Sequence, residues 1–204
     1  MRLSTFLPQC LFAIVLFVHG AAQALPTYHV SVDTTPYAGQ GLLDFNFMAA
    51  TAGATPTSAV LSNFSGTFGA VFDSSPGVSG TMPGEVVLVN VAFDYLTQAV
   101  NLGGKFGFDI RFDGDFATTA SQDGSTFNLT LYNADFSDYI GTAGPLVTFE
   151  LLPPVNGAAG GVTASSSPMA TVAQVPEPST LLLALIALPF CALARRSRGM
   201  LPAG

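Results

Sequence analysis

The chain has 204 residues, a formal net charge of −7 at pH 7, and a composition that is 49% hydrophobic and only 9% charged. So few charges beside so much apolar content exclude the disordered class of proteins, and the length favours a single domain. The 21 glycines and 14 prolines favour turns over long helices.

The N-terminus predicts a signal peptide. Arg2 is followed by an apolar run at residues 11–18 and then by Ala22-Gln23-Ala24, the small-x-small pattern that signal peptidase accepts. We expect signal peptidase to cleave after Ala24, so that residues 1–24 are removed and the body is exported. A retained N-terminal membrane helix is disfavoured because the apolar run is short.

The body at residues 25–174 is strongly acidic. Its only cations are Lys105 and Arg111, against twelve carboxylates, which gives a net charge of −10. Such a surface repels the phosphates of nucleic acids and anionic lipids, which argues against both as partners. Cys10 and Cys191 lie outside the body, so it can use neither a disulfide nor a thiol nucleophile and must depend on a core.

Apolar and polar residues alternate with period two along four segments of the body, which predicts β-strands with one buried face. The residues expected to face the core are Leu43, Phe45, Phe47, Phe106, Phe108, Ile110, Phe112, Phe127, Leu129, Leu131, Val147, Phe149 and Leu151. Further strands are expected at 28–33, 59–64, 66–72, 85–93 and 161–172, separated by turn sequences rich in Gly, Pro, Asp and Ser.

Eight or nine short strands predict an all-β fold, an antiparallel β-sandwich of jelly-roll-like type, at residues 25–163. Phenylalanine is expected to supply most large core side chains, since tryptophan is absent. Residues 164–174 carry no charge and are rich in Ser, Ala and Thr, so we expect them to form the last strand's end and a linker.

Groups suited to catalysis are few. His29 is the one histidine left after signal cleavage, and its phase with Ser31 and Asp33 predicts a solvent-facing strand residue. No Gly-x-Ser-x-Gly elbow accompanies it. The twelve carboxylates leave an exported carboxylate-dependent hydrolase as an alternative, although no spacing marks a pair.

An oxygen-rich stretch is the best candidate for a metal site. Asp113-Gly114-Asp115, with Asp123 across a predicted loop, offers carboxylates to a hard cation such as calcium. A solvated turn is the competing interpretation, because no glutamate follows at EF-hand spacing. No other cofactor is expected. Exposed Thr, Ser and Asn on the strand faces also leave room for a weak glycan-contacting surface.

The C-terminus has three parts in a fixed order. A Pro-Glu-Pro motif leads into an apolar run at residues 181–194, and a basic cluster closes the run. At about 1.5 Å per helical residue the run reaches ~21 Å, short of the ~30 Å hydrocarbon core, so it predicts a transient handle more than a durable anchor. The arginines would hold the C-terminal end in the cytoplasm. The motif is Pro176, Glu177 and Pro178, and the cluster is Arg195, Arg196 and Arg198.

Residues 175–198 resemble the PEP-CTERM sorting domain of Gram-negative bacteria, with a short hydrophobic helix between the motif and the arginines. The resemblance implies that exosortase, an integral-membrane cysteine protease, recognises the motif, cuts near it, and releases or re-anchors the protein at the surface. Residues 199–204 form a tail beyond it. An ordinary C-terminal tail anchor is the alternative. PEP-CTERM systems commonly accompany extracellular polysaccharide production, which makes an association with polysaccharide plausible.

These observations together favour an exported, non-enzymatic protein of the cell surface or extracellular matrix that is anchored in the inner membrane in transit. Two further alternatives remain. One is a carbohydrate-binding or calcium-stabilised adhesive module, and the other is the exported hydrolase.

Overall fold

The computed structural model describes residues 25–91, 93–121 and 123–176. The predicted signal peptide with Ala22 and Ala24, the motif residues Glu177 and Pro178, and the basic cluster lie outside these ranges. Within them, no helix is long and apolar enough to span a membrane. The described chain forms twelve β-strands: β1 (Thr27–Asp33), β2 (Gln40–Ala49), β3 (Ser58–Ser65), β4 (Phe68–Ser74), β5 (Ser79–Gly80), β6 (Val86–Val89), β7 (Asp94–Asn101), β8 (Lys105–Asp113), β9 (Ser125–Asn133), β10 (Val147–Leu152), β11 (Gly161–Ser166) and β12 (Ala170–Val175).

The strands form two six-stranded sheets. Sheet A has the spatial order β12-β1-β8-β3-β6-β5, and sheet B has the order β11-β10-β9-β2-β7-β4. Neighbouring strands pair antiparallel in both sheets. The rings of Phe45 in sheet B and Phe108 in sheet A meet edge to face at 5.4 Å, so the sheets pack face to face. The expected all-β antiparallel sandwich is confirmed.

One hydrophobic core fills the space between the sheets. All thirteen residues predicted to face inward are buried members of this core. Six phenylalanines are among its largest fully buried side chains, and their rings meet in tilted and edge-to-face pairs 5.4 to 6.4 Å apart. Aromatic pairs favour these arrangements over face-to-face sandwiches. Period two therefore identified the buried face of each of these strands correctly.

The strand predicted at residues 85–93 is wrong in its extent. Strand β6 ends at Val89, and a separate strand, β7, occupies Asp94–Asn101. Alternation does not reveal β7, because its adjacent polar residues Thr97 and Gln98 are both buried. Gln98 Nε2 donates to the carbonyl of Gly69 at 2.7 Å, while its buried Oε1 has no hydrogen-bond partner among the described residues. A buried polar residue on the inward phase thus conceals a central strand of sheet B.

The linker expected at residues 164–174 is also a wrong prediction. Strand β11 continues to Ser166, and β12 pairs with β1 along its whole length. Both strands lie at the edge of a sheet and are mostly exposed. Ala170 is buried, and Val162 and Val172 pack against the core, but most of the other side chains are small or polar and exposed, so a composition of Ser, Ala and Thr resembles a linker.

The two ends of the described chain lie side by side, because Thr27 pairs with Val175 at the end of the β1–β12 ladder. Pro176 follows directly, and it is the last residue described. The first and last described strands therefore lie just after the predicted signal-peptidase site and just before the Pro-Glu-Pro motif.

Candidate functional site

The outer face of sheet B carries a groove of about 610 Å³. Its floor consists of polar side chains from β2, β7 and β9, and its walls are aromatic side chains from β4, β7, β9 and the β9–β10 loop. Concave sites with apolar walls and a few polar groups are the usual form of a ligand site.

Strand register builds the floor of the groove in two rows. Thr130, Asp44 and Thr97 lie opposite one another on β9, β2 and β7, and Asp73 of β4 extends this row to the sheet edge. Asn128 and Asn46 form the second row, two residues further along the strands. Because β2 lies between β9 and β7, the outward phase of three strands converges on one polar surface.

Asp44 is the most buried charge of the floor, with 7% of its surface exposed. Thr97 Oγ1 donates to Asp44 Oδ1 at 2.7 Å, and Asn46 Nδ2 donates to Oδ2. Burial raises the pKa of Asp44 above its ordinary value, and the two hydrogen bonds oppose that shift. The floor is thus held in place by side-chain hydrogen bonds.

Four stacked rings form an aromatic row beside and above the floor. Phe72 of β4 and Phe136 of the β9–β10 loop have parallel rings, at 1° and a centroid distance of 6.4 Å. Phe136 stacks on Tyr132 at 4.2 Å, and Tyr132 on Tyr139 at 4.9 Å. Since β2 and β7 lie between β9 and β4, Phe72 and Phe136 lean towards each other across the groove.

A β-bulge lets two adjacent residues of β4 line the groove. The register of β4 against β7 shifts between Val71 and Asp73, and both Phe72 and Asp73 border the groove. A bulge disrupts the strict alternation of side chains and re-aims them. The wall therefore presents a ring and a carboxylate side by side.

The loop that carries Phe136 is fixed by its own polar side chains. Asn133 Oδ1 accepts the amides of Ser137 and Asp138 at 2.8 and 3.1 Å, and Ser137 Oγ donates to Asp135 Oδ1 at 2.7 Å. The hydrogen bonds that the Ser137 hydroxyl and amide donate to Asp135 lower the pKa of Asp135. Phe136 has a φ of +60°, which is rare for an aromatic residue and is typical of functional sites.

Two tyrosines of the groove remain neutral donors over the physiological pH range. Tyr95 donates its hydroxyl to Asp73 Oδ2 at 3.0 Å, and this hydrogen bond raises the pKa of Tyr95. Burial, followed by the interaction with Tyr139, raises the pKa of Tyr132 to about 12. The groove thus combines neutral hydroxyl and amide groups with two carboxylates and several ring faces.

The three predicted calcium ligands have separate surroundings. Asp113 pairs with Arg111 Nη2 at 3.2 Å, and Asp123 accepts a hydrogen bond from Thr51 at 2.5 Å. The backbone carbonyl of Asp115 accepts the amides of Thr118 and Thr119 at 3.0 and 2.7 Å. Across residues 25–91, 93–121 and 123–176, no three His, Cys, Asp or Glu side chains converge on a possible metal position.

His29 is exposed on the outer face of sheet A, as its phase predicted. Its Nδ1 lies 2.6 Å from Asp109 Oδ1, and Asn63 Nδ2 donates to Asp109 Oδ2 at 2.7 Å. A Cβ added to Gly107 would lie 2.7 Å from Ser65 Oγ and 3.4 Å from His29 Nε2, so the hydroxyl and the imidazole border one space. These are the residue types of a serine triad, but they stand on an open sheet face where the imidazole is 47% exposed. The walled groove of sheet B is the stronger candidate site.

The sequence contained part of the signal for the groove. The Thr and Asn residues of the strand faces were predicted as a weak glycan-contacting surface, and the partly exposed Asn46 and Asn128 are such residues, whereas Thr97 and Thr130 lie on the same face but are buried. The aromatic row was missed, since it joins a bulged edge strand to a loop. Comparison with protein-family models, with curated proteins and with solved structures gave no significant match.

Proposed function

We propose that this chain is an exported, non-enzymatic protein of the cell surface or extracellular matrix, and that it binds extracellular polysaccharide in the groove of sheet B. The observation that carries the proposal is the aromatic row beside a polar floor on one exposed sheet face.

Sugar rings present two kinds of surface, and the groove matches both. Their C–H faces are apolar and pack on aromatic rings, which the exposed Phe72 and Phe136 supply. Their hydroxyl edges need donors and acceptors, which Asn46 and Asn128 supply from the floor. An open groove on a sheet face admits a chain at any point along its length, so it suits a polymer.

The hydrogen bonds of the groove support binding more than hydrolysis. Both oxygens of Asp44 accept bonds from protein donors. Asp73 Oδ1 accepts the amide of Ser74 at 2.8 Å, and its Oδ2 accepts the Tyr95 hydroxyl. Two carboxylates held in this way keep one orientation, which favours recognition of a ligand.

Export and sorting are part of the proposal. A signal peptide at residues 1–24 would direct the chain out of the cytoplasm, and a short hydrophobic helix after the Pro-Glu-Pro motif would hold it in the inner membrane until exosortase acts. Two facts are compatible with export followed by cleavage at the motif. The body contains no cysteine, and strand β12 ends at Val175, directly before the motif. Cleavage at the motif would therefore leave every strand in place.

The binding proposal is tested with the exported protein and a panel of soluble polysaccharides, by affinity electrophoresis and titration calorimetry. Replacing Phe72 and Phe136 together by alanine removes two contacts of about 1.5 kcal/mol each, so affinity should fall on the order of 100-fold. The matched control is Val91→Ala with Val155→Ala, two exposed apolar residues outside the groove. Equal affinity of the double phenylalanine variant and the control would contradict the proposal.

The sorting proposal is tested by the intact mass of the mature protein from its host, with and without the exosortase gene. A C-terminus near residues 176–179 that reverts to the full tail in the deletion strain is the expected result. Persistence of residues 181–204 in both strains would instead make the segment a tail anchor.

A further inference from the structure

The charged side chains that line the groove are both negative. Asp44 lies in its floor and Asp73 at its wall, in the same cross-strand row and separated only by β7. At about 4.8 Å between neighbouring strands, their Cα atoms lie about 10 Å apart, so the carboxylates bracket one stretch of the groove.

No cation within residues 25–176 neutralises this pair. The chain places only Lys105 and Arg111 in that span, and both belong to β8 in the other sheet. Each is already paired there, Lys105 with Asp33 at 3.7 Å and Arg111 with Glu85 and Asp113 at 3.3 and 3.2 Å. The negative potential of the groove therefore acts on whatever lies in it.

The geometry points to a polysaccharide that carries free amino groups, such as a hexosamine polymer with part of its N-acetyl groups removed. This inference rests on the proposed polysaccharide function of the same groove. The aromatic row holds the apolar ring faces, while a protonated amine lies within reach of Asp73 and is attracted by Asp44. Polymers of uronic acids meet repulsion from both carboxylates and are excluded.

The test compares three oligosaccharides of equal length: a glucosamine oligomer, its fully N-acetylated counterpart, and a uronic acid oligomer. Titrations use the exported protein at mildly acidic pH, where the amines are protonated. We expect the glucosamine oligomer to bind about tenfold more tightly than the acetylated one. This is the gain in affinity expected from one partly exposed ion pair between an amine of the sugar and Asp73. Added salt should reduce this ratio, because it screens the exposed Asp73.

Asp73→Asn is the decisive variant, since it removes the charge and keeps the shape of the side chain. The ratio of the two affinities should fall to near one. Asp115→Asn makes the same change at an exposed position outside the groove, and it should keep the wild-type ratio.

The possible results separate this inference from the proposed function. A ratio near one in the wild type, an unchanged ratio in Asp73→Asn, or tight binding of the uronic acid oligomer would each overturn amine recognition and leave polysaccharide binding intact. If no oligosaccharide binds, whatever its charge, the proposed function itself is wrong.

Discussion

The outer faces of the two sheets present different chemistry to the solvent. On sheet A the charged groups are paired, as in the Arg111–Glu85 and Lys105–Asp33 contacts. On sheet B a buried carboxylate, polar rows and stacked rings surround a groove, and none of the described residues that line it is a cation. Paired charges on an open face are already satisfied, whereas exposed rings beside a polar floor leave binding capacity unused. This difference is the reason that we propose the groove of sheet B, and not the outer face of sheet A, as the binding site.

Both faces depend on the same core, which gives the largest expected effect. Phe45 is fully buried in β2, directly beneath the groove floor, and its ring meets Phe108 of sheet A. Replacing Phe45 by alanine leaves a cavity and should cost about 3–5 kcal/mol of the free energy of unfolding, measured by urea denaturation. Leu152→Ala, at an exposed position, is the control and should cost little. A loss below about 1 kcal/mol for Phe45→Ala would contradict the shared core.

The buried carboxylate of Asp44 should make stability depend on pH in a way that the exposed carboxylates of sheet A do not. Because the pKa of Asp44 is raised on folding, its linked contribution to stability is present below pH 3.8 and is lost as pH rises through the folded-state pKa. Asp44→Asn lacks this loss and keeps an acceptor for Thr97. The free energy of unfolding of Asp44→Asn, measured relative to that of the wild type, should therefore increase as the pH rises from below 3.8 towards neutrality. This increase should be smaller than the loss of stability in Phe45→Ala.

Denaturation of both proteins at several pH values measures this difference, and groups common to both cancel. Asp113→Asn on sheet A is the matched control, since Asp113 is exposed. A stability difference between Asp44→Asn and wild type that does not depend on pH would show that Asp44 is not desolvated.

Each face contains one strained backbone position, and the two should respond differently to glycine. Phe136 on the groove loop has φ +60°, and Asn63 at the β3 bulge on sheet A has φ +52°. Aromatic residues tolerate this region poorly, whereas asparagine visits it readily. Phe136→Gly should be about 1 kcal/mol more stable than Phe136→Ala. Asn63→Gly should instead lower the wild-type stability by about 1 kcal/mol or less, because it relieves little strain and loses the hydrogen bond to Asp109. Equal stabilities of the two Phe136 variants would argue against strain in the loop.

The ion pairs of sheet A should give the smallest effect. Arg111 is partly exposed and contacts two exposed carboxylates. Such surface pairs contribute about 0–1 kcal/mol, so Arg111→Gln should lower the free energy of unfolding by no more than that, and less at high salt. It should leave polysaccharide affinity unchanged. A large change in affinity would mean that sheet A takes part in binding.

The buried half of the fold could be predicted from the sequence because burial imposes period two. Phe45 and Phe127 could be placed in the core with no knowledge of their neighbours. Strand β7 could not be found, since Gln98 occupies an inward position and bonds to a backbone carbonyl. Strand β12 is held mainly by backbone pairing with β1, and of its side chains only Ala170 and Val172 pack against the core, so its composition gives little sign of a strand.

The groove was less predictable than the core. Asn46 and Asn128 could be assigned to outward faces, but periodicity does not say that β9, β2 and β7 are neighbours. The contact of Phe136 with Phe72 joins residues from a loop and a bulged edge strand. Neither the loop geometry nor the bulge follows a periodic pattern, so the wall of the site required the tertiary structure.

The most direct test of the account is an NMR titration of the isotope-labelled exported protein with a glucosamine oligosaccharide. We predict chemical-shift changes at Asn46, Thr97 and Asn128 on the floor of the groove, and none at His29, Asp109 and Arg111 on sheet A. Shifts confined to the outer face of sheet A, or the absence of any shift at a high oligosaccharide concentration, would contradict binding in the groove.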